Sequence, residues 1–246
     1  MELFYIITAL FIGSIGSVGI ASLLLLLPDH KLLKLSELLV SLAGGTLLGA
    51  AFLGMLPKAV SQVDSVLVFK FVLGGILLFF IIEKFILWRA CHNKDCKRHQ
   101  NASAPLILIG DAFHNFIDGI IIVSAFYISV EFGITVSISV FAHEIPQEIA
   151  DFGVLLKNGF SRKRAIVFNM LSGATALLGG LLSYFILDTA KNLIPYVLAF
   201  SASSFIYIAL ADLVPQMHQT IKINKSMVQI LFIFIGVLII YLIKSL

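Results

Sequence analysis

Nine polar side chains interrupt long apolar runs. Asp111, His114, Asn115 and Asp118 fall in Asp-Ala-Phe-His-Asn-Phe-Ile-Asp-Gly, and His143, Glu144, Gln147, Glu148 and Asp151 fall in His-Glu-Ile-Pro-Gln-Glu-Ile-Ala-Asp. Counted from Asp111, the first set lies at three, four and seven, which places all four residues on one face of an α-helix. Counted from His143, the second lies at one, four, five and eight, again a single stripe. The stripes offer two imidazoles, five carboxylates and two amides, with no Lys or Arg in either helix. A structural polar network would pair each carboxylate with a cation, and those cations are missing. Five carboxylates facing one another in a low-dielectric interior repel, or hold protons, unless a divalent cation neutralises them. Imidazole with carboxylate suits borderline ions such as Zn, Fe, Co or Mn, whereas an all-oxygen cage suits Mg or Ca. Pro146, inside the second stripe, removes a helix hydrogen bond and is expected to widen the helix locally for an ion or water.

The elements that carry these stripes are set by composition. The chain has 246 residues, 59% apolar and 13% charged, with a mean hydropathy of +1.04, far from the soluble norm of about half apolar and about a quarter charged. A soluble domain and a disordered chain are both excluded. The formal charge of +3 is too small for a nucleic-acid binder, and no phosphate-binding loop or nucleotide motif is present. A spanning helix needs about 20 mostly apolar residues, and eight runs qualify: 4–27, 35–56, 66–88, 105–127, 132–156, 165–187, 194–214 and 227–243. The sequence therefore predicts an all-α polytopic membrane protein, one transmembrane domain over residues 1–246, with the lipid bilayer as its partner. The first run carries Glu2 and no basic residue ahead of a long apolar stretch, so it reads as a retained helix and not a signal peptide.

Thirteen of the 17 basic residues fall in the odd-numbered loops, which predicts that those loops are cytoplasmic and both termini extracytoplasmic. An internal echo accompanies this topology. Gly45-Thr46, Ala51 and Leu56-Pro57 in helix two match Ser203-Ser204, Ala209 and Val214-Pro215 in helix seven at a constant offset of 158 residues. Because Pro57 and Pro215 fall at opposite membrane faces, the echo points to an inverted repeat, a frequent transporter architecture.

With the two stripes placed in helices four and five, the chain resembles a known family. His114-Asn115-Phe116-Ile117-Asp118-Gly119 and His143-Glu144-Ile145-Pro146-Gln147-Glu148 look like the paired signatures of the ZIP (Zrt/Irt-like) divalent metal transporters, closest to the subgroup whose fifth helix reads His-Glu-Ile-Pro-His-Glu. The resemblance extends to Gly44-Gly45 through Leu56-Pro57 and to Ala209-Leu210-Ala211-Asp212-Leu213. It implies a ZIP-like bundle with a two-metal transport site and no resident cofactor, the ion being cargo. His114, Asp118 and the Gln147 position would form the main site and Asn115 and Glu144 the neighbouring one, with His143 and Glu148 assisting. Gln147 departs from the subgroup, where a histidine is usual. Relatives that draw ligands from helices two and six find Leu47 and Gly179 at the matching positions here, so those helices are expected to add none. The resemblance also implies alternating access and a homodimer.

Lesser features have two readings each. Cys91, His92, Cys96 and His99 make an exit-side metal relay resembling the family's histidine-rich loop, or an ordinary solvated loop. Asp111, Asp151 and Asp212 are expected along an entry or exit path. His143-Glu144 also resembles the start of the HExxH protease motif, but the obligatory second His is Gln147. An intramembrane zinc hydrolase is thus the alternative to uptake of zinc foremost, or of iron, manganese, cobalt or cadmium, into the cytoplasm. The compact chain points to a plasma membrane, namely a prokaryotic inner membrane.

Overall fold

A computed structural model describes residues 2–90, 104–219 and 223–244. The described residues form helices in chain order: α1 (residues 2–24), α2 (residues 29–60), α3 (Ser65–Ala90), α4 (Ala104–Phe126), α5 (Val130–Lys157), α6 (Arg162–Thr189), α7 (Lys191–His218) and α8 (Ile223–Lys244). Among them seven, all but α5, are long and apolar enough to cross a membrane. At 28 residues α5 has the length as well, but it carries the second polar stripe. Ser129 starts it by accepting a hydrogen bond from the Phe132 N–H, satisfying one of the donors a helix start leaves open.

Prolines shape two of the helices. In α2 a six-residue π-helical stretch, Ala50–Met55, leads directly into Leu56–Val60 with Pro57 in its first turn; in α7 the stretch Ile208–Leu213 leads into Val214–His218 with Pro215 likewise. Both pairs of segments are related by the 158-residue offset already visible in the sequence. Proline lacks an N–H and its ring crowds the preceding turn, so the backbone slips to a wider register there. Pro146 behaves differently from expectation: α5 remains a continuous α-helix through it, and the wider register falls instead in α2, in α7 and, with no proline, in α1 at Ile12–Gly16.

Backbone contact sets the two tightest helix pairs. A Cβ placed on Gly119 of α4 would collide with the Ala176 carbonyl of α6, and one on Gly179 of α6 with the Phe116 carbonyl of α4. Gly45 of α2 and Gly236 of α8 meet the opposite backbone in the same way. Small residues let helices approach this closely where apolar burial alone gives little drive. Tyr127 at the end of α4 adds a hydrogen bond to the Tyr184 carbonyl of α6.

The core has two parts. The larger includes Leu47, Ala50, Met55, Ile121, Ile122, Val136, Leu198 and Phe205; the smaller, between α1, α5 and α6, includes Val18, Ile149, Phe152, Leu155 and Ala165. Leu47 is fully buried in the larger part. Between the two lie the polar stripes of α4 and α5.

Candidate functional site

The helical spacing read from the sequence turns both stripes toward one another. Asp118, Glu144 and Glu148 have no exposed surface, Asn115 and His143 keep 1%, and Asp111 4%, while the His114 side chain keeps 15%. Two groups of side chains result, and Glu144 belongs to both. The first is His114, Asp118, His143 and Glu144; the second is Asp111, Glu144 and Glu148. In each, one ligand atom per residue lies within 4.8 Å of the others.

The first group converges on one point. His114 Nε2 and His143 Nε2 are 3.0 Å apart. Asp118 Oδ2 lies 3.1 Å from His143 Nε2 and 3.5 Å from His114 Nε2, and Glu144 Oε1 lies 3.5 Å from each imidazole nitrogen. Ligands 2.0–2.1 Å from a tetrahedral zinc stand about 3.3 Å from one another, the spacing seen here. His143 Nδ1 lies 3.0 Å from the Ser139 carbonyl. A carbonyl only accepts, so Nδ1 carries the proton and in the neutral ring Nε2 presents a lone pair to the cluster. A proton bridges two such atoms, whereas a metal ion joins all four.

The second group is all oxygen. Asp111 Oδ1 accepts from Asn115 Nδ2 at 3.0 Å and from Gln147 Nε2 at 3.2 Å, and Asn115 Nδ2 also reaches the Asp111 carbonyl at 3.2 Å. Asn115 and Gln147 are thus brought to Asp111 by their amide donors, while His143 joins His114. Seven carboxylate oxygens across Asp111, Asp118, Glu144 and Glu148 are buried without a hydrogen-bond partner, and among the described residues no Lys or Arg pairs with them. Buried unpaired carboxylates are strongly disfavoured unless a cation is coordinated, so this donor set fits a divalent metal.

The two sides of the site differ. The apolar core closes over it on one side, where the ring of Phe205 lies 5.8 Å from that of His143. On the other, a cavity of about 410 Å³ reaches His114 from the end where α3, α5 and α7 finish, walled among others by Glu83, Gln147, Asp151, Asp212 and Gln216. Asp151 and Asp212, expected along a path, both stand on this wall. The Tyr207 hydroxyl donates to the Glu83 carboxylate beside them; from the sequence Glu83 reads only as a helix-end group that can snorkel to the interface, and Tyr207 carries no signal. Cys91, His92, Cys96 and His99 lie outside the described residues.

Sequence reasoning missed Asn169 and Ser172 in α6, both buried. The Asn169 amide comes up against Glu148 and the Ser172 hydroxyl against Asp111. The signal was a three-residue spacing in Asn-Met-Leu-Ser, indistinguishable from an ordinary small-residue helix face. Gly179, the position matched to the relatives' helix-six ligand, packs instead on the α4 backbone.

The fold and the site define a multi-pass, all-α membrane protein enclosing a His/Asp/Glu cluster that fits a metal ion. Comparison with known proteins agrees. The chain matches the family described as ZIP Zinc transporter over residues 2–105 and 89–244, and it belongs to that family. It is 42% identical over 129 residues to the mouse protein named zinc transporter ZIP10, a stretch that is 52% of this chain and 16% of the relative. It is 36% identical over 138 residues to the Drosophila melanogaster zinc transporter foi, covering 56% of this chain and 19% of that one. To the Caenorhabditis elegans zinc transporter zipt-7.2 it is 27% identical over 272 residues, covering 85% of this chain and 58% of the relative. The chain therefore spans a minor part of the first two relatives and little more than half of the third. The family is one of transporters and not of enzymes, which removes the hydrolase alternative.

Proposed function

We propose that the protein carries divalent transition-metal ions, zinc foremost, across a membrane into the cytoplasm. The observation that carries this is the convergence of His114, Asp118, His143 and Glu144 on one point at metal-ligand spacing, buried in a membrane-spanning bundle with no Lys or Arg partner among the described residues. The ion is cargo. Two imidazoles and two carboxylates give the borderline, tetrahedral-capable donor set that zinc favours. The same set admits iron, manganese, cobalt or cadmium, and the neighbouring Asp111 and Glu148 make room for a second ion through the shared Glu144.

The cavity supports this direction. It reaches the site from the end of the bundle where α3, α5 and α7 finish, which the distribution of Lys and Arg assigns to the cytoplasm, and on that assignment the protein is in an inward-facing state. Transport then requires a second state in which the core around Leu47, Ile121 and Phe205 parts and the cavity closes, which is alternating access. α5 makes the eighth span, its polar stripe shielded by α4 and α6, and both termini lie outside. The protein sits in a plasma membrane, a prokaryotic inner one, as a homodimer; labelling of single cysteines near the termini of intact cells tests the orientation.

Reconstitution of the purified chain in liposomes, with entry of Zn, Fe(II), Mn and Mg followed at neutral and mildly acidic pH, tests the function. Transition-metal uptake without Mg uptake, lost in His114→Ala and in Asp118→Ala, is the expected result. Well-folded protein that passes no metal, or flux retained in both variants, would overturn it.

A further inference from the structure

Asn169 carries an observation that the site as described leaves unexplained. Its side chain has no exposed surface, and among the described residues neither Oδ1 nor Nδ2 makes a hydrogen bond of good geometry, although the amide approaches Glu148. An amide so placed forgoes most of its four possible hydrogen bonds, and buried amides are otherwise paired almost without exception. It is held there by its helix: Ser172 Oγ donates to the Asn169 carbonyl at 3.1 Å, and the same turn brings both side chains to the acidic group, Asn169 against Glu148 and Ser172 against Asp111.

We propose that Asn169 is a ligand of the transported ion, its Oδ1 completing with Asp111, Glu144 and Glu148 an inner cation seat drawn from three helices. This rests on the transport reading above. Along the helices the seat lies about one turn nearer the end where α5 finishes than the histidine pair, because Asp111 precedes His114 by three residues on α4 and Glu148 follows Glu144 by four on α5. Glu144, shared by both groups, lets an ion pass between them without losing all its ligands. Asp151, three residues beyond Glu148 and on the cavity wall, receives it next.

The two seats differ in chemistry. The histidine pair gives the outer seat a nitrogen-rich set that discriminates for zinc, whereas the inner seat is oxygen only and favours harder ions. The amide adds a ligand without adding charge, so the inner seat holds an ion less tightly than a fourth carboxylate would. Selection and release are thereby assigned to different residues.

The test is equilibrium dialysis of the purified full chain in detergent micelles against Zn²⁺ and, separately, Mn²⁺, with bound metal quantified. The unaltered protein should bind two Zn²⁺ per chain in a tighter and a weaker step, the weaker preferring Zn²⁺ over Mn²⁺ by the smaller ratio. Asn169→Ala should weaken the weaker step about tenfold or more, the order seen for loss of groups at metal sites, and leave the tighter within twofold. Asn169→Asp, of the same size but charged, should tighten the weaker step. If Asn169→Ala does not fold, the direction of the Asn169→Asp effect decides alone. Both steps unchanged in Asn169→Ala, or a weaker step loosened by Asn169→Asp, would give the amide a structural role only and overturn the proposal. A single Zn²⁺ per chain would also overturn it while sparing the transport reading; no Zn²⁺ bound at all would remove both.

Discussion

Removing one imidazole at a time measures the outer seat directly. Four-ligand zinc sites bind with about 10–16 kcal/mol near neutral pH, so each ligand contributes about 3 kcal/mol, which corresponds to about a hundredfold in Kd. His114→Ala should therefore weaken the tight Zn²⁺ step about a hundredfold. His143→Ala should cost at least as much, because that ring is 1% exposed and held in register by its Nδ1 donation to Ser139 at 3.0 Å. Competition with a fluorescent zinc chelator on the purified protein gives the two values, and thermal unfolding gives an independent one. Zinc at about 100 times the native Kd stabilises the native protein by about 2.7 kcal/mol, and at the same concentration a hundredfold weaker site gains only about 0.4 kcal/mol. Affinities within threefold of the native protein in both variants, with the zinc-dependent rise in melting temperature intact, would refute the reasoning that these nitrogens hold the ion.

Three further outcomes follow from the geometry. Gln147→His should raise affinity for zinc or shift preference toward it over manganese, since the side chain already reaches the second group at Asp111; an unchanged metal profile would mean that this position does not touch the ion. Zinc binding should weaken as pH falls from neutral to mildly acidic, because protons compete for imidazole and carboxylate ligands, and a pH-independent Kd would contradict ligation by these groups. Gly119→Ala should reduce the yield of folded protein, because the added methyl meets the α6 backbone and overpacking costs about 1–3 kcal/mol; normal yield and melting temperature would show that the α4–α6 contact is looser than described.

Much of this was legible in the sequence because period and composition are local properties. The three-and-four spacing of Asp111, His114, Asn115 and Asp118 sets a helix face whatever surrounds it, and the missing cations follow from counting residues. Which side chains meet across helices is not local. His143 reaches His114 while Gln147 reaches Asp111 because the relative height of α4 and α5 decides the pairing, and no spacing within either helix encodes that height. Asn169 was hidden for the same reason: its polarity acquires meaning only when α6 is set against α4 through Gly119 and Gly179. The π-helical stretches lie between these cases. Pro57 and Pro215 were visible at their shared offset, but Pro146 shows that a proline in a run does not by itself predict the wider register.

The two histidines are not equivalent, and the difference has a kinetic meaning. His143 is tethered through its far nitrogen to its own helix, whereas His114 stands at the cavity wall with part of its ring in the open. An ion held by several bonds leaves by breaking them one after another, each vacated position being taken by an incoming oxygen before the next bond goes. His114 is the first to be replaced and His143 the last on the nitrogen side. The barrier to unloading is then that of a single substitution and not of stripping a whole coordination shell, so a seat can be tight at equilibrium and still empty on the timescale of a turnover.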